Sequence, residues 1–376
     1  MIRSLTRRLT GAAGVTAGAA ALAAFALAPA QALTSSTFIG NFSKLKTIAS
    51  TVPANGDQNP YGVAVVGKSE GKLVKGDILV SNFNNTSNFQ GTGTTIVQIS
   101  PGGHRSVFAL IDASKLPGPC PGGVGLTTAL VILPGGWVVV GSLPTTDGKS
   151  DTANDGCLIV IGKDGKVAET LSNGQIKGPW DMTAASGGGF ADLFVTNVLN
   201  GTLAAGGATV DKGTVLRLTL QLNGDMPPTL VQTTKIGSGF GEHTDPTALV
   251  VGPTGVGLGD DGTLYVADSV GNRITAIPNA IKRGGDAGTG NVVTSGGRLN
   301  TPLGLVIAPN DDILTVNAAD GFIVETTPGG KQVAHHLLNS TGTPKGNGAL
   351  FGLAVTPDHD GVYFVDDDVN QLRLFH

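Results

Sequence analysis

The chain repeats itself, and that constrains its fold more than any other property. One module is plain in "DPTALVVGPTGVGLGDDGTLYVADSVGNRITAIPNAI", residues 245–281. An apolar segment follows a proline, then come an Asp-Gly turn, "TLYVAD" and "GNRITAI". The pattern returns as "TPLGLVIAPNDDILTVNAADGFIVETTPGG" at 301–330 and "LFGLAVTPDHDGVYFVDDDVNQLRLF" at 350–375. Looser copies are "NPYGVAVVGKSEGKLVKGDILVSNFNN", "GLTTALVILPGGWVVVGS" and "GPWDMTAASGGGFADLFVTNVLNG". Six copies thus begin near Pro60, Leu126, Pro179, Pro246, Pro302 and Leu350. The 344 residues after position 32 divide into six units of about 57.

Each apolar segment is four to eight residues long, rich in β-branched residues and bounded by Gly, Asp, Asn or Pro, which reads as a strand. No stretch shows a helical period, so the chain is expected to be all-β. Four short strands per repeat make a propeller blade, and six repeats make a six-bladed β-propeller. The pattern "PxGLAV…DGxLYVADxxNxRIxxI" resembles the NHL repeat. The match is close in the fourth and last copies, fair in the first and fifth, and poor in the second and third. The resemblance implies the fold and says little about function, because propellers host many activities.

The last copy supplies only three strands. The one unassigned strand-like segment, "STFIGNFSKLKTIASTV", lies at the other end of the sequence. Placed outside "QLRLF", it completes the last blade, closes the ring and removes an exposed sheet edge.

Residues 1–32 read as a secretory signal: Arg3, Arg7 and Arg8, an Ala/Leu-rich stretch, then Ala30-Gln31-Ala32. The apolar stretch is short for a membrane span. "TRRLT" resembles a twin-arginine signal, but Thr10 stands where an apolar residue is expected, so ordinary export is the reading. The remainder, 33–376, carries 28 acidic and 21 basic residues, a charge near −7. That argues against nucleic acid as a partner. No second membrane-length span follows, and the expected product is a secreted, periplasmic or cell-envelope monomer. With 14% charged residues and 58 Gly, the interior must be large and the turns numerous. Cys120 and Cys157 are the only cysteines, and in an exported chain the pair reads as one disulfide.

In a propeller the strands run A to D outward from the axis. The B–C loops and D-to-A connections share one face. Three B–C loops are long: "NFNNTSNFQGTGT", "LPTTDGKSDTANDG" and "VLNGTLAAGGATVDKG". They would build a polar wall over one side of the axial opening, suited to ligand contact or merely flexible. Both cysteines map to this face, so a disulfide would pin the middle loop.

At the end of strand B the copies place Asn82, Ser142, Asn197, Asp268, Asn317 and Asp366, an oxygen-bearing ring that suits a hard cation such as calcium. The same residues could simply cap their own turns. At the start of strand A lie Tyr61, Thr127, Trp180, Thr247, Leu303 and Phe351, of which Tyr61, Trp180 and Phe351 are candidate ligand-binding aromatics or channel plugs. The following residue is small in Gly62, Thr128, Ala248, Gly304 and Gly352, but is Asp181 in the third copy. Asp181 is a candidate ligand or base, as are Glu242 and His243 in "GFGEHTDP", with Asp245 beside them. Asp181 could also merely bond backbone amides. The other histidines, His104, His335, His336, His359 and His376, do not converge. That counts against a zinc site like that of the NHL-like amidating lyases.

Two functions compete. One is an exported binding propeller that holds a small molecule, glycan or protein on its long-loop face. The other is a metal-dependent, calcium-type hydrolase, lactonase or lyase that resembles the gluconolactonase-type propellers. Those hold a divalent cation in the axial channel with one Glu and Asn and Asp residues. Here "GPWD" keeps Gly-Pro-Trp and lacks the Glu. Strictosidine-synthase-like proteins offer a third resemblance, but their catalytic Glu has no counterpart.

Overall fold

Short runs of β-branched and aliphatic residues, each stopped by a turn-forming Gly, Asp or Asn, fold into six antiparallel sheets around one axis. The structure is a computed structural model that describes residues 37–376. The expected export signal lies outside the described residues. Blade one comprises Gln58–Val65, Ile78–Asn84, Thr95–Ile99 and Arg105–Leu110, from the axis outward. Blade two is Leu126–Leu133, Trp137–Ser142, Cys157–Ile161 and Val167–Leu171. Blades four and five repeat the order with Pro253–Leu258 and Pro302–Ile307 innermost.

The ring closes as expected. Leu45–Ser50 pairs antiparallel with Gln371–Phe375 as the outer strand of blade six, with Leu45 opposite Phe375 and Ser50 opposite Gln371. The segment before it is anchored beneath blade five. There the backbone N–H groups of Phe38 and Ile39 donate to the buried Glu325 carboxylate at 2.6 and 2.9 Å.

Blade three differs. Its outer strand, Met226–Asp245, is long, and a fifth strand, Leu249–Val251, folds back on its end, with His243 opposite Val251 and Asp245 opposite Leu249. This corrects the fourth repeat boundary. Pro246 stands in a hairpin turn, where the Asp245 carboxylate accepts from the N–H groups of Thr247 and Ala248. Strand A of blade four starts at Pro253, opposite Asp268, just as Pro302 stands opposite Asn317. The axial residues of blade four are therefore Thr254 and Gly255, not Thr247 and Ala248.

The small residue after the axial position has a steric cause. A Cβ at Gly304 would lie 1.9 Å from the carbonyl oxygen of Phe351 in the next blade, and one at Gly255 would lie 2.2 Å from that of Leu303. Apolar residues fill the spaces between neighbouring blades, and one cluster, around Tyr61, Trp180, Leu249, Leu303 and Phe351, reaches across the axis. Among the described residues, no helix is long and apolar enough to cross a membrane.

Candidate functional site

The first inner-strand positions build a plug. Tyr61 stacks on Phe351 with centroids 3.9 Å apart, on Phe83 at 4.5 Å, and meets Trp180 edge-on at 5.9 Å. Aromatic pairs of this kind contribute beyond their buried area. The plug divides the axial channel into an upper cavity, beneath the B–C loops, and a lower one that opens among the A–B turns.

The upper cavity encloses about 640 Å³. Tyr61, Trp180, Leu303 and Phe351 form its floor. Asn84, Asn88 and Gln90 of the blade-one loop stand on one side, and His243 to Val251 of the hairpin on another. The two sides meet where the Gln90 amide donates to the Pro246 carbonyl at 3.4 Å. The long loops of blades two and three buttress this wall. Thr145 donates its hydroxyl to the Gln90 carbonyl at 2.5 Å, and Glu242 Oε1 accepts from the Asn200 N–H at 2.8 Å behind the hairpin. Cys120 and Cys157 are joined by the expected disulfide, which ties the blade-two loop to the connection entering that blade.

The lining has unused hydrogen-bonding capacity. Asn84 Oδ1, Gln90 Oε1, Trp180 Nε1, His243 Nδ1 and Asp367 Oδ1 are buried without a partner among the described residues, and all five belong to residues that line this cavity. Trp180 and Asn84 are each only 1% exposed. Buried polar atoms are nearly always bonded, and each orphan costs about 1–3 kcal/mol. Burial, with Asp368 and Asp366 nearby, pushes the Asp367 carboxyl well above the usual carboxylate range. Burial likewise raises Tyr61, helped by Asp367.

The predicted cation ligands are not gathered. Asn82, Asn197, Asp268, Asn317 and Asp366 are all buried in their own blades, and none lines either cavity. Asn197 Oδ1 accepts from the N–H groups of Lys177 and Gly178. Asp268 pairs with Arg273 at 2.7 Å and Asp366 with Arg373 at 2.8 Å. Asn82 and Asn317 donate to the carbonyls of Thr51 and Arg298. Among the described residues, no group of three or more His, Cys, Asp or Glu could hold a metal ion. The five expected ligands therefore do not converge on a cation at the axis.

The three candidate catalytic residues also lie apart. Asp181 lines the lower cavity, about 330 Å³, among Val63, Leu130, Val256, Leu305 and Leu353. Its oxygens accept from the N–H groups of Met182 at 2.8 Å and Val256 at 3.1 Å, bracing blade three against blade four. Burial raises its pKa to about 8, against those two bonds. Glu242 lines neither cavity, and burial raises it to about 7. His243 faces the upper cavity. Sequence reasoning placed Asn84 and Gln90 in the long blade-one loop and Asp367 in an acidic run, Asp366 to Asp368, that could hold calcium or be an ordinary acidic turn, without singling out any of the three. Strand geometry could have found Asp367, since Asp366 ends strand B facing its blade and the next residue turns the other way.

No family model and no curated relative matches the chain. Solved structures do resemble it. A gluconolactonase from Xanthomonas campestris shares 13% identity over 88% of each chain, with a TM-score of 0.55. Regucalcin, a calcium-binding protein from Agrobacterium tumefaciens, shares 14% over 88% of this chain and 93% of its own, at 0.53. A putative glucose dehydrogenase from Thermus thermophilus shares 13% over 88% and 99%, at 0.52. At such identities the likeness establishes a six-bladed propeller and no activity.

Proposed function

We propose that this protein is an exported, NHL-like propeller that binds a small ligand in the upper cavity, beneath the blade-one loop and the blade-three hairpin. The observation that carries the reading is one cavity with an aromatic floor whose lining residues hold five buried polar atoms without a partner among the described residues. A ligand with a flat face and hydrogen-bonding groups would satisfy them. The disulfide suits an oxidising compartment, in keeping with export.

Calcium-dependent lactone hydrolysis has support from the names of two structural neighbours. It is weakened here because the expected ligands face into separate blades. A thermal-shift screen of small polar aromatics on the full chain tests the proposal. At a hundred times its Kd, a hit stabilises by about 2.7 kcal/mol, and Asn84→Leu should abolish that increment. Hits indifferent to Asn84, together with stoichiometric calcium and a Tm that falls with chelator, would replace binding by the hydrolase reading.

A further inference from the structure

We infer that the ligand is a small organic cation, an ammonium group carried on a flat apolar body; this rests on the upper cavity being the binding site. The lining includes Asp245, Asp367 and Asp368 and contains no Lys or Arg. Asp245 is committed to the hairpin turn, and Asp368 accepts from the Thr341 hydroxyl. Asp367 is different. Its Oδ2 accepts from the Asn59 amide at 3.2 Å, while Oδ1 has no partner. Arg373 pairs with Asp366 inside the blade.

Two further observations, independent of the acidic lining, point to the same occupant. Asn84 Oδ1 and Gln90 Oε1 are acceptors without donors, as an ammonium requires. The Tyr61, Trp180 and Phe351 floor is apolar and aromatic, which suits the apolar body of such a ligand. An anionic ligand would meet three carboxyl groups, with His243 the one basic side chain in the lining.

Titration calorimetry of the full chain with benzylammonium, benzyl alcohol and phenylacetate tests this. Benzylammonium should bind, phenylacetate should not, and Asp367→Asn should weaken the ammonium at least ten-fold. A second readout needs no variant. Burial, with Asp368 and Asp366 nearby, pushes the Asp367 carboxyl well above the usual carboxylate range, and a cation bound beside it should favour its ionised form. Any proton released makes the binding enthalpy depend on the buffer, with Tyr61, His243, Asp245 and Asp368 the other titratable groups lining the site. Benzyl alcohol or phenylacetate binding as tightly as benzylammonium, or binding without proton release and unaffected by Asp367→Asn, overturns the cation and leaves the cavity. Failure of all three probes to bind overturns both.

Discussion

The lower end of the axial channel is walled by all six inner strands and the upper end by loops and the first residues of five of them, and their chemistry is opposite. The lower end is lined by aliphatic side chains from every blade, with Asp181 its one ionisable residue. Its only unpartnered buried polar atom is Thr128 Oγ1. The upper end has an aromatic floor, three Asp, one His and five unpartnered atoms. A Cβ at Gly62, Gly255, Gly304 or Gly352 would meet the next blade's backbone, so these four inner positions carry no side chain. A site must therefore be built above them, from insertions. The repeat makes the frame, and the blade-one loop and blade-three hairpin, which break the repeat, make the site.

The largest test of this contrast is at the plug. Trp180→Ala removes a nearly fully buried ring on which both the floor and the axial cluster depend. Urea unfolding should show a loss of about 3–5 kcal/mol. A loss below about 1 kcal/mol would mean that the plug does not hold the two ends apart. Next comes the disulfide. Replacing Cys120 by Ser and Cys157 by Ala should cost about 2–4 kcal/mol. Hydrogen exchange should rise in the loops 143–156 and 85–94 and stay unchanged in the A–B turns. A uniform rise would show that the bond serves the whole ring instead of the upper wall.

The frame was far more legible in the sequence than the site. Strand length, Asp-Gly turns and a repeat of about 57 residues specify blades, and the missing fourth strand of the last copy pointed to Leu45–Ser50. The blade-four boundary misled because "DPTALVV" has a proline and an apolar run, the same signal that begins a true repeat. What separates them is tertiary: Leu249 and Val250 are buried by the aromatic plug, which local pattern does not reveal. The Asn/Asp ring was legible as a set of positions, but which way each side chain points depends on its partners. Asp268 and Asp366 turn toward Arg273 and Arg373 within their own sheets. Asp367 was hidden in the run Asp366 to Asp368, where composition cannot say which carboxyl is left without a partner.

At the lower end, the effect to measure is pH dependence. Asp181 has a folded pKa near 8, far above its ordinary value of 3.8, so the fold favours its protonated form. Its stabilising contribution is fully present below pH 4 and falls as pH rises toward 8, at no more than about 1.4 kcal/mol per pH unit. Asp181→Asn cannot ionise and keeps an oxygen to accept from Met182 or Val256. Glu242 and Asp312 are also raised, each to about 7, and push the same way. The informative quantity is therefore wild type minus variant, from urea midpoints at pH 5 and pH 8. An equal difference at both pH values would remove Asp181 as the cause.

The smallest effect decides whether the upper wall behaves as one unit. Thr145 donates to the Gln90 carbonyl and accepts from the Gly148 N–H at 2.8 Å, holding the blade-two loop behind the blade-one loop. Thr145→Val keeps the shape and deletes both bonds, which should cost about 1 kcal/mol. If the loops act together, amide exchange at 85–94 should quicken along with that at 145–153, although the substitution lies in only one of them. Quickening confined to 145–153 would mean that the blade-one loop is held by its own contacts, such as the Asn84 amide to Asn88 Oδ1 at 2.8 Å. The disulfide would then steady a loop that the cavity does not need, and the wall would reduce to the blade-one loop and the hairpin.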